Sequence, residues 1–149
     1  MLRVTVKLVS LALILLALAA CASTVDLSDP RALMDGAASN GAFSNPLEPV
    51  SNMDVAYSLF GLDRARYGTS LFYMSTATSE AFVYMQASDS DAYNDAIVAI
   101  ERRTESQKQL YASYAPEEVT KLENARILRD ATNRIIVYVV ADDYSKLTF

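Results

Sequence analysis

Cys21 is the only cysteine among the 149 residues of the chain. One thiol cannot form an internal disulfide, and an unpaired cysteine in an exported protein needs an explanation. Export is what the preceding residues indicate, because Arg3 and Lys7 are followed by an apolar run from Leu11 to Ala20. Basic residues, then an apolar segment, then small residues are typical of a secretory signal peptide. The thiol therefore needs a role other than disulfide formation.

The four residues Leu18-Ala19-Ala20-Cys21 resemble the lipobox of bacterial lipoproteins. The resemblance implies that residues 1–20 are removed as a signal peptide. It also implies that the Cys21 thiol carries diacylglycerol and that the new amino group carries a fatty acid such as palmitate. Two acyl chains anchor a protein stably, whereas a single chain binds a membrane only marginally. An ordinary secretory signal, cleaved after Ala17-Leu18-Ala19, and an uncleaved membrane anchor are the alternatives.

The residue after the cysteine is Ala22, whereas lipoproteins of enterobacterial type that stay in the inner membrane have aspartate there. By the same resemblance we expect an outer-membrane protein that faces the periplasm. The lipid on Cys21 is then the attachment to the membrane, and no cofactor is expected. A chain with a formal charge of −5 is also a poor nucleic-acid binder, because phosphate binding needs clustered cations.

The absence of histidine from the sequence removes the most common general base and the most common metal ligand. Catalytic triads that use histidine and histidine-containing zinc sites are therefore impossible. An enzyme that uses only carboxylates, tyrosine or a serine–lysine pair is the remaining catalytic alternative. An acidic cluster at Asp89, Asp91 and Asp95 suggests calcium, but Tyr93 and Ile100 stand where an EF-hand needs an acidic ligand and its closing glutamate. Capping of a helix explains the cluster better. We expect neither an enzyme nor a metal site.

The residues that follow Cys21 are rich in Ala, Ser, Asn, Asp, Gly and Pro. This composition predicts a flexible tether over residues 21–50, with a reach of about 25–30 Å and at most a short helix over Pro30–Asp35. The folded domain is expected at 51–149. Its start is predicted by Ser51 and Asp54, which are spaced as a capping box.

The apolar spacing within residues 51–149 predicts an all-α domain, a small bundle of three to four helices. One bent helix or two is expected before residue 88, another over 91–112, and a last helix opens at Pro116 and runs to about residue 141. The alternative is an α+β fold. Residues 69–87 also fit a β-hairpin, and the β-branched residues near 135–141 also fit a strand.

Tyrosine is abundant, with nine in the chain, and its half-apolar side chain suits protein interfaces. The apolar stripe of the third predicted helix is also thin in its middle. We therefore predict a partner surface at Tyr93, Thr104, Gln107, Tyr111 and Tyr114. The leading hypothesis is a non-catalytic accessory or assembly subunit of an envelope complex, bound to another envelope protein or to a second copy of itself. The alternative is a periplasmic carrier or binder of a small apolar ligand, with a pocket lined by Phe72, Tyr73, Met74, Phe82, Tyr84 and Met85.

Replacing the thiol tests the anchor. A Cys21→Ser variant is expected to lose metabolic labelling by fatty acid and to leave the membrane fraction, because no other residue can carry the lipid. Fatty-acid labelling of the variant at the wild-type level would contradict the lipoprotein interpretation.

Overall fold

The computed structural model describes residues 25–149, so the predicted signal peptide, the lipobox and Cys21 lie outside the described residues. The helices are α1 (Pro30–Ser39), α2 (Met53–Ser58), α3 (Ser90–Tyr111) and α4 (Pro116–Glu123), and short 3-10 turns lie at Arg64–Arg66 and Tyr144–Lys146. The strands are β1 (Glu48–Pro49), β2 (Tyr67–Met74), β3 (Ala81–Ala87), β4 (Arg126–Asp130) and β5 (Ile135–Val140). They form one five-stranded antiparallel sheet in the order β1-β2-β3-β5-β4.

The all-α prediction is wrong, and the α+β alternative is the observed arrangement. Residues 69–87 form most of the β2–β3 hairpin, in which Phe72 pairs with Val83. The Ser75 hydroxyl ends β2 by accepting hydrogen bonds from the amides of Ala77 and Thr78, at 3.1 and 3.0 Å. Such a side-chain-to-backbone turn competes with a continuing helix.

The long C-terminal helix is also absent, because α4 ends at Glu123 and β4 and β5 follow. A turn separates the two strands. The Asp130 carboxylate accepts hydrogen bonds from the backbone amide and the side-chain amide of Asn133, and Arg134 has a φ of 55°. All residues of β5 are buried, so its β-branched side chains pack on both faces of the sheet.

One face of the sheet packs against α2 and α3. Asp89 caps α3 by accepting a hydrogen bond from the Ala92 amide at 2.7 Å, and Asn52, rather than the predicted Ser51, caps α2. Small residues at Ala96 and Ala99 bring α3 close to the strands. The core on this face includes Tyr57, Phe60, Phe72, Val83, Met85, Ile100, Ile136 and Tyr138.

The opposite face is covered by the segment that was expected to be a flexible tether. Leu27 is 6% exposed, and α1 buries Met34 and Ala37 against the sheet. Asp29 caps this helix. The helix continues through Gly36 to Ser39 because its apolar side packs against the sheet. The described residues from Leu27 onward are therefore part of the folded unit. None of the described helices is long and apolar enough to cross a membrane.

A buried ion-pair network joins these layers at the turn between β2 and β3. The ammonium group of Lys121, on α4, lies 3.1 Å from the Glu80 carboxylate, 3.0 Å from that of Glu118 and 3.2 Å from that of Asp142. The Glu80 side chain is fully buried, and those of Glu118 and Lys121 are 7% and 13% exposed. Desolvated carboxylates need partners, because an unpaired buried charge is costly. Lys121 supplies the positive charge for the two buried carboxylates, Glu80 and Glu118.

Backbone and hydroxyl donors complete the network. Glu80 also accepts hydrogen bonds from the Ser44 amide and hydroxyl and from the Asn45 amide. Glu118 accepts from the Ser79 amide and hydroxyl, both at 2.7 Å. Among the described residues, no buried side-chain nitrogen or oxygen lacks a hydrogen-bond partner.

The network shifts the pKa values of Glu118 and Lys121. Burial alone would raise the pKa of Glu118, but the hydrogen bonds from Ser79 and Lys121 outweigh it, and the pKa lies below its ordinary value of 4.5. Burial alone would lower the pKa of Lys121, but its hydrogen bonds to Glu118 and Glu80 raise it above 10.5. The charged forms of both residues are therefore favoured by folding.

Removing the central charge should destabilise the fold strongly. Lys121→Met leaves the fully buried Glu80 carboxylate without its cation, and we expect the free energy of unfolding to fall by about 3–5 kcal/mol. Lys108→Met is the matched control, because Lys108 forms the same i,i+3 pair with Glu105, whose side chain is 58% exposed. That control should cost less than about 1 kcal/mol in urea unfolding. Equal losses in the two variants would contradict the role given to Lys121.

The stabilisation should depend on pH with a defined sign. A depressed pKa makes the Glu118 contribution fully present above pH 4.5 and removes it as the pH falls through the folded-state value. The free-energy difference between wild type and Glu118→Gln should therefore be constant near neutrality and shrink in acid. Urea midpoints from pH 7 down to about pH 3 measure it. A difference that does not shrink in acid would exclude this origin.

Candidate binding cleft

A cleft lies between α3 and the residues that follow α2. It consists of two adjoining cavities of about 350 and 180 Å³, which share Phe60, Arg103 and Gln107 in their walls. The larger cavity extends along Leu59 and Leu110, and the smaller one reaches the turn between β2 and β3. We call the two cavities together the Arg103 cleft.

A single ridge of α3 supplies one wall of the cleft. Ala99, Arg103, Gln107 and Tyr111 follow at intervals of four residues, which places their side chains in one row along a helix. Ala99 is buried against the core, whereas the next three side chains are half-buried. The ridge therefore turns from apolar to polar as it leaves the core.

Arg103 is held in place by the loop after α2. Its guanidinium lies 5.0 Å from the centre of the Phe60 ring and donates a hydrogen bond to the Leu59 carbonyl at 3.0 Å. Arg102 donates to the Phe60 carbonyl at 3.2 Å. A side chain at Gly61, whose φ is 68°, would meet Arg102 at 3.2 Å, so glycine suits this turn. The guanidinium is thus positioned before any ligand arrives.

The charge of Arg103 has no acidic counterpart nearby. Within residues 25–149, no carboxylate lies within 4.0 Å of its guanidinium nitrogens. Burial lowers the pKa of Arg103, and the hydroxyl groups of Tyr138 and Tyr111 oppose that shift. An arginine side chain is not deprotonated in proteins, so this shift leaves its charge in place. The cleft therefore has a fixed positive charge.

The smaller cavity is lined mainly by polar groups. Its walls include Thr78, Ser79, Gln107, Tyr111 and Tyr138. The Tyr138 hydroxyl is fixed by a hydrogen bond of 2.9 Å to the Thr104 hydroxyl, and Thr104 is bonded to the Ile100 carbonyl. Glu80 borders the same cavity, but its carboxylate is occupied by Lys121, Ser44 and Asn45. Ser79 and Tyr138 already donate to Glu118 and Thr104, so the donors left in this cavity include the Thr78 and Tyr111 hydroxyls and the Gln107 amide. Together with the Arg103 cation they suit the binding of an anionic group.

The structure brings together only part of the predicted partner surface. Gln107 and Tyr111 line the Arg103 cleft, and Tyr114 lies beside it with its ring 5.3 Å from that of Tyr111. Thr104 supports the cleft through Tyr138. Tyr93 is 9% exposed and belongs to the core.

Arg103 and Phe60 were missed by the sequence analysis. Arg103 is flanked by Glu101, Arg102 and Glu105 and therefore resembles a residue of a solvated helix face. The interval of four residues from Ala99 to Gln107 was the signal that could have placed Arg103 on the inner side. Nothing in the sequence links it to Phe60.

Other sequence-predicted sites are placed differently. The six residues considered for an apolar pocket alternate between the faces of the sheet: Phe72, Met74 and Met85 pack on the α3 side, whereas Tyr73, Phe82 and Tyr84 pack on the α1 side. In the acidic cluster, Asp89 and Asp95 pair with Arg66. Among residues 25–149, no group of three His, Cys, Asp or Glu side chains could hold a metal ion. Cys21 and the lipobox lie outside this part of the chain.

The comparisons with known proteins give a family without an assigned activity. No curated protein and no solved structure matches the chain. One family model, described as "Domain of unknown function (DUF4358)", matches residues 40–141. The match runs from the residues before β1 to the end of β5 and includes every residue of the Arg103 cleft and Lys121. The chain therefore belongs to the DUF4358 family.

Proposed function

We propose that this protein is a non-catalytic binding domain of the bacterial envelope, held to a membrane by lipid on Cys21, and that the Arg103 cleft is its binding site. The lipobox and the lone thiol support the anchor. The observation that carries the binding site is Arg103 itself. Its half-buried guanidinium is fixed between two cavities and has no carboxylate partner among the described residues.

The geometry favours an anionic ligand. Guanidinium groups bind carboxylates and phosphates through paired, charge-assisted hydrogen bonds. The guanidinium is already partly desolvated and already oriented by Leu59 and Phe60, so binding costs less ordering than at a free surface arginine. The smaller cavity of about 180 Å³ has room for about six water molecules, which matches one small anionic group.

The larger cavity supports an apolar portion in the same ligand. Leu59 and Leu110 are 40% and 59% exposed, and both line this cavity beside Phe60. A ligand with an acidic head and a short hydrocarbon part would cover these side chains while its head meets Arg103. The protein is thus a binder of a small ligand, as in the alternative expected from the sequence, but the ligand is amphipathic and not wholly apolar.

An accessory role in an envelope complex is a second proposal for the same end of the molecule. Leu110, in the last turn of α3, and Tyr114, in the turn that follows the helix, are 59% and 63% exposed. Large exposed apolar side chains in a cluster are common at protein interfaces. In-cell crosslinking from Tyr114 tests it. A protein that crosslinks to nothing from this position would count against an assembly role.

Charge removal tests the Arg103 cleft. Hexanoate is the probe, and 1-hexanol is its uncharged counterpart. We expect hexanoate to bind more tightly than hexanol, and Arg103→Gln to weaken hexanoate binding by roughly ten- to a hundredfold, because one charge-assisted interaction is lost. Isothermal titration calorimetry or chemical-shift titration measures both ligands on the same samples.

The control for this experiment is Arg31→Gln, which removes an exposed arginine from α1 on the other side of the sheet. It should leave hexanoate binding unchanged. Arg103→Lys, which keeps the charge but loses the planar fork, should give an intermediate affinity. Equal binding of hexanoate and hexanol by wild type, or equal affinities in wild type and Arg103→Gln with both proteins folded, would overturn the proposed site.

A further inference from the structure

The folded part of the chain begins close to the proposed lipid attachment. Leu27 is buried in the core between α1 and the sheet. Covalent geometry limits the roughly six residues from Cys21 to Leu27 to a span of about 20 Å, and a flexible chain of that length typically reaches about 13 Å. A folded chain of this size has a radius of gyration of about 14 Å, which corresponds to a diameter of about 36 Å. The folded unit is therefore wider than the connection is long.

The point at which the chain enters the fold is far from the Arg103 cleft. Val25 and Leu27 border a cavity beside the turn between β4 and β5, together with residues 128–132. This turn lies at the Gln86 end of β3, because Gln86 pairs with Ile135. The cleft reaches the opposite end of β3, at the turn that contains Ser79 and Glu80. The length of β3 separates these ends by about 20 Å.

The entry point and the cleft also lie on opposite faces of the sheet. Leu27 and α1 cover one face, whereas α3, which carries Arg103, covers the other. The separation is therefore diagonal, across both the length and the thickness of the domain.

From this placement we infer that the protein has a lipid-facing surface formed by residues 25–33, 128–132 and 148–149, and that the Arg103 cleft faces the aqueous compartment. The inference depends on the proposed lipid anchor at Cys21. Its occupant is the surface of the bilayer that holds the anchor. Two cavities lie within this surface, and Val25 lines both of them. Leu128 lines the cavity beside the turn between β4 and β5, and Phe149 lines the other.

The charge of the lipid-facing surface indicates what holds it there. The surface contains three acidic residues, Asp26, Asp29 and Asp130, and two basic residues, Arg31 and Arg129. Such a surface is not attracted to anionic headgroups, which bind clusters of basic residues. The short connection therefore keeps the surface near the bilayer, and high salt should not release it.

The experiment uses the full-length lipidated chain in vesicles of phosphatidylethanolamine and phosphatidylglycerol that contain a lipid with a headgroup quencher. Because lipid occupies the Cys21 thiol, an introduced cysteine is the only free thiol and can carry a fluorophore. Thr132→Cys places it on the lipid-facing surface, and Gln109→Cys places it on exposed α3. We expect quenching at position 132 to exceed that at position 109 several-fold, in low and in high salt.

Equal quenching at the two positions, or stronger quenching at position 109, would overturn the inference. Insertion of a long Gly/Ser linker after residue 24 should abolish the difference, and persistence of the difference would overturn the argument from connection length. Mass analysis of the N-terminal peptide reports lipidation separately. Loss of lipid in that analysis therefore contradicts the anchor, whereas a lipidated protein with equal quenching contradicts only the orientation.

Discussion

The contact of Lys121 with Glu80 and Glu118 is the interaction on which the other parts of this structure depend. It joins α4 to the turn between β2 and β3, and through Ser44 and Asn45 it also holds the chain that leads into β1. Buried ion pairs add little net stability compared with well-packed apolar groups, but they penalise arrangements that separate the charges. The network therefore selects one geometry of the hairpin turn. Because Ser79 and Glu80 also border the smaller cavity, the same contacts shape the proposed binding site.

Local signals in the sequence predicted the ends of several elements but not the type of structure between them. Asp89 caps α3 and Pro116 begins α4 as expected, and Pro30 begins α1. Residues 69–87 were predicted wrongly, because their apolar positions favoured a buried helix and the hairpin was only the alternative. What decides between the two is pairing with β5 and the contact of Glu80 with Lys121, which is 41 positions away. Interactions at that separation have no local signature.

The segment before β1 illustrates the same limit. Its composition resembles a linker, yet Leu27, Met34 and Ala37 cover a sheet face that would otherwise be exposed. A few apolar residues are enough when a matching surface exists elsewhere in the fold.

The residues of the Arg103 cleft were likewise predictable only in part. Gln107 was noticed because the apolar stripe of α3 is thin there, and Tyr111 because tyrosine suits interfaces. Arg103, in contrast, is positioned by Phe60, which lies in a separate element.

The position of β5 has a consequence for how the protein reaches its folded state. This strand lies between β3 and β4 in the sheet, yet β3 ends at Ala87 and β5 begins only at Ile135. Because a chain is synthesised from its N-terminus, the β2–β3 hairpin emerges well before its partner strand. During that interval one apolar strand edge is unpaired, and pairing over such a separation is slow. Ile135–Val140 is itself uncharged and rich in β-branched residues, a composition typical of aggregation-prone segments. The yield of folded protein therefore depends on protection of the emerging chain until its last strand arrives.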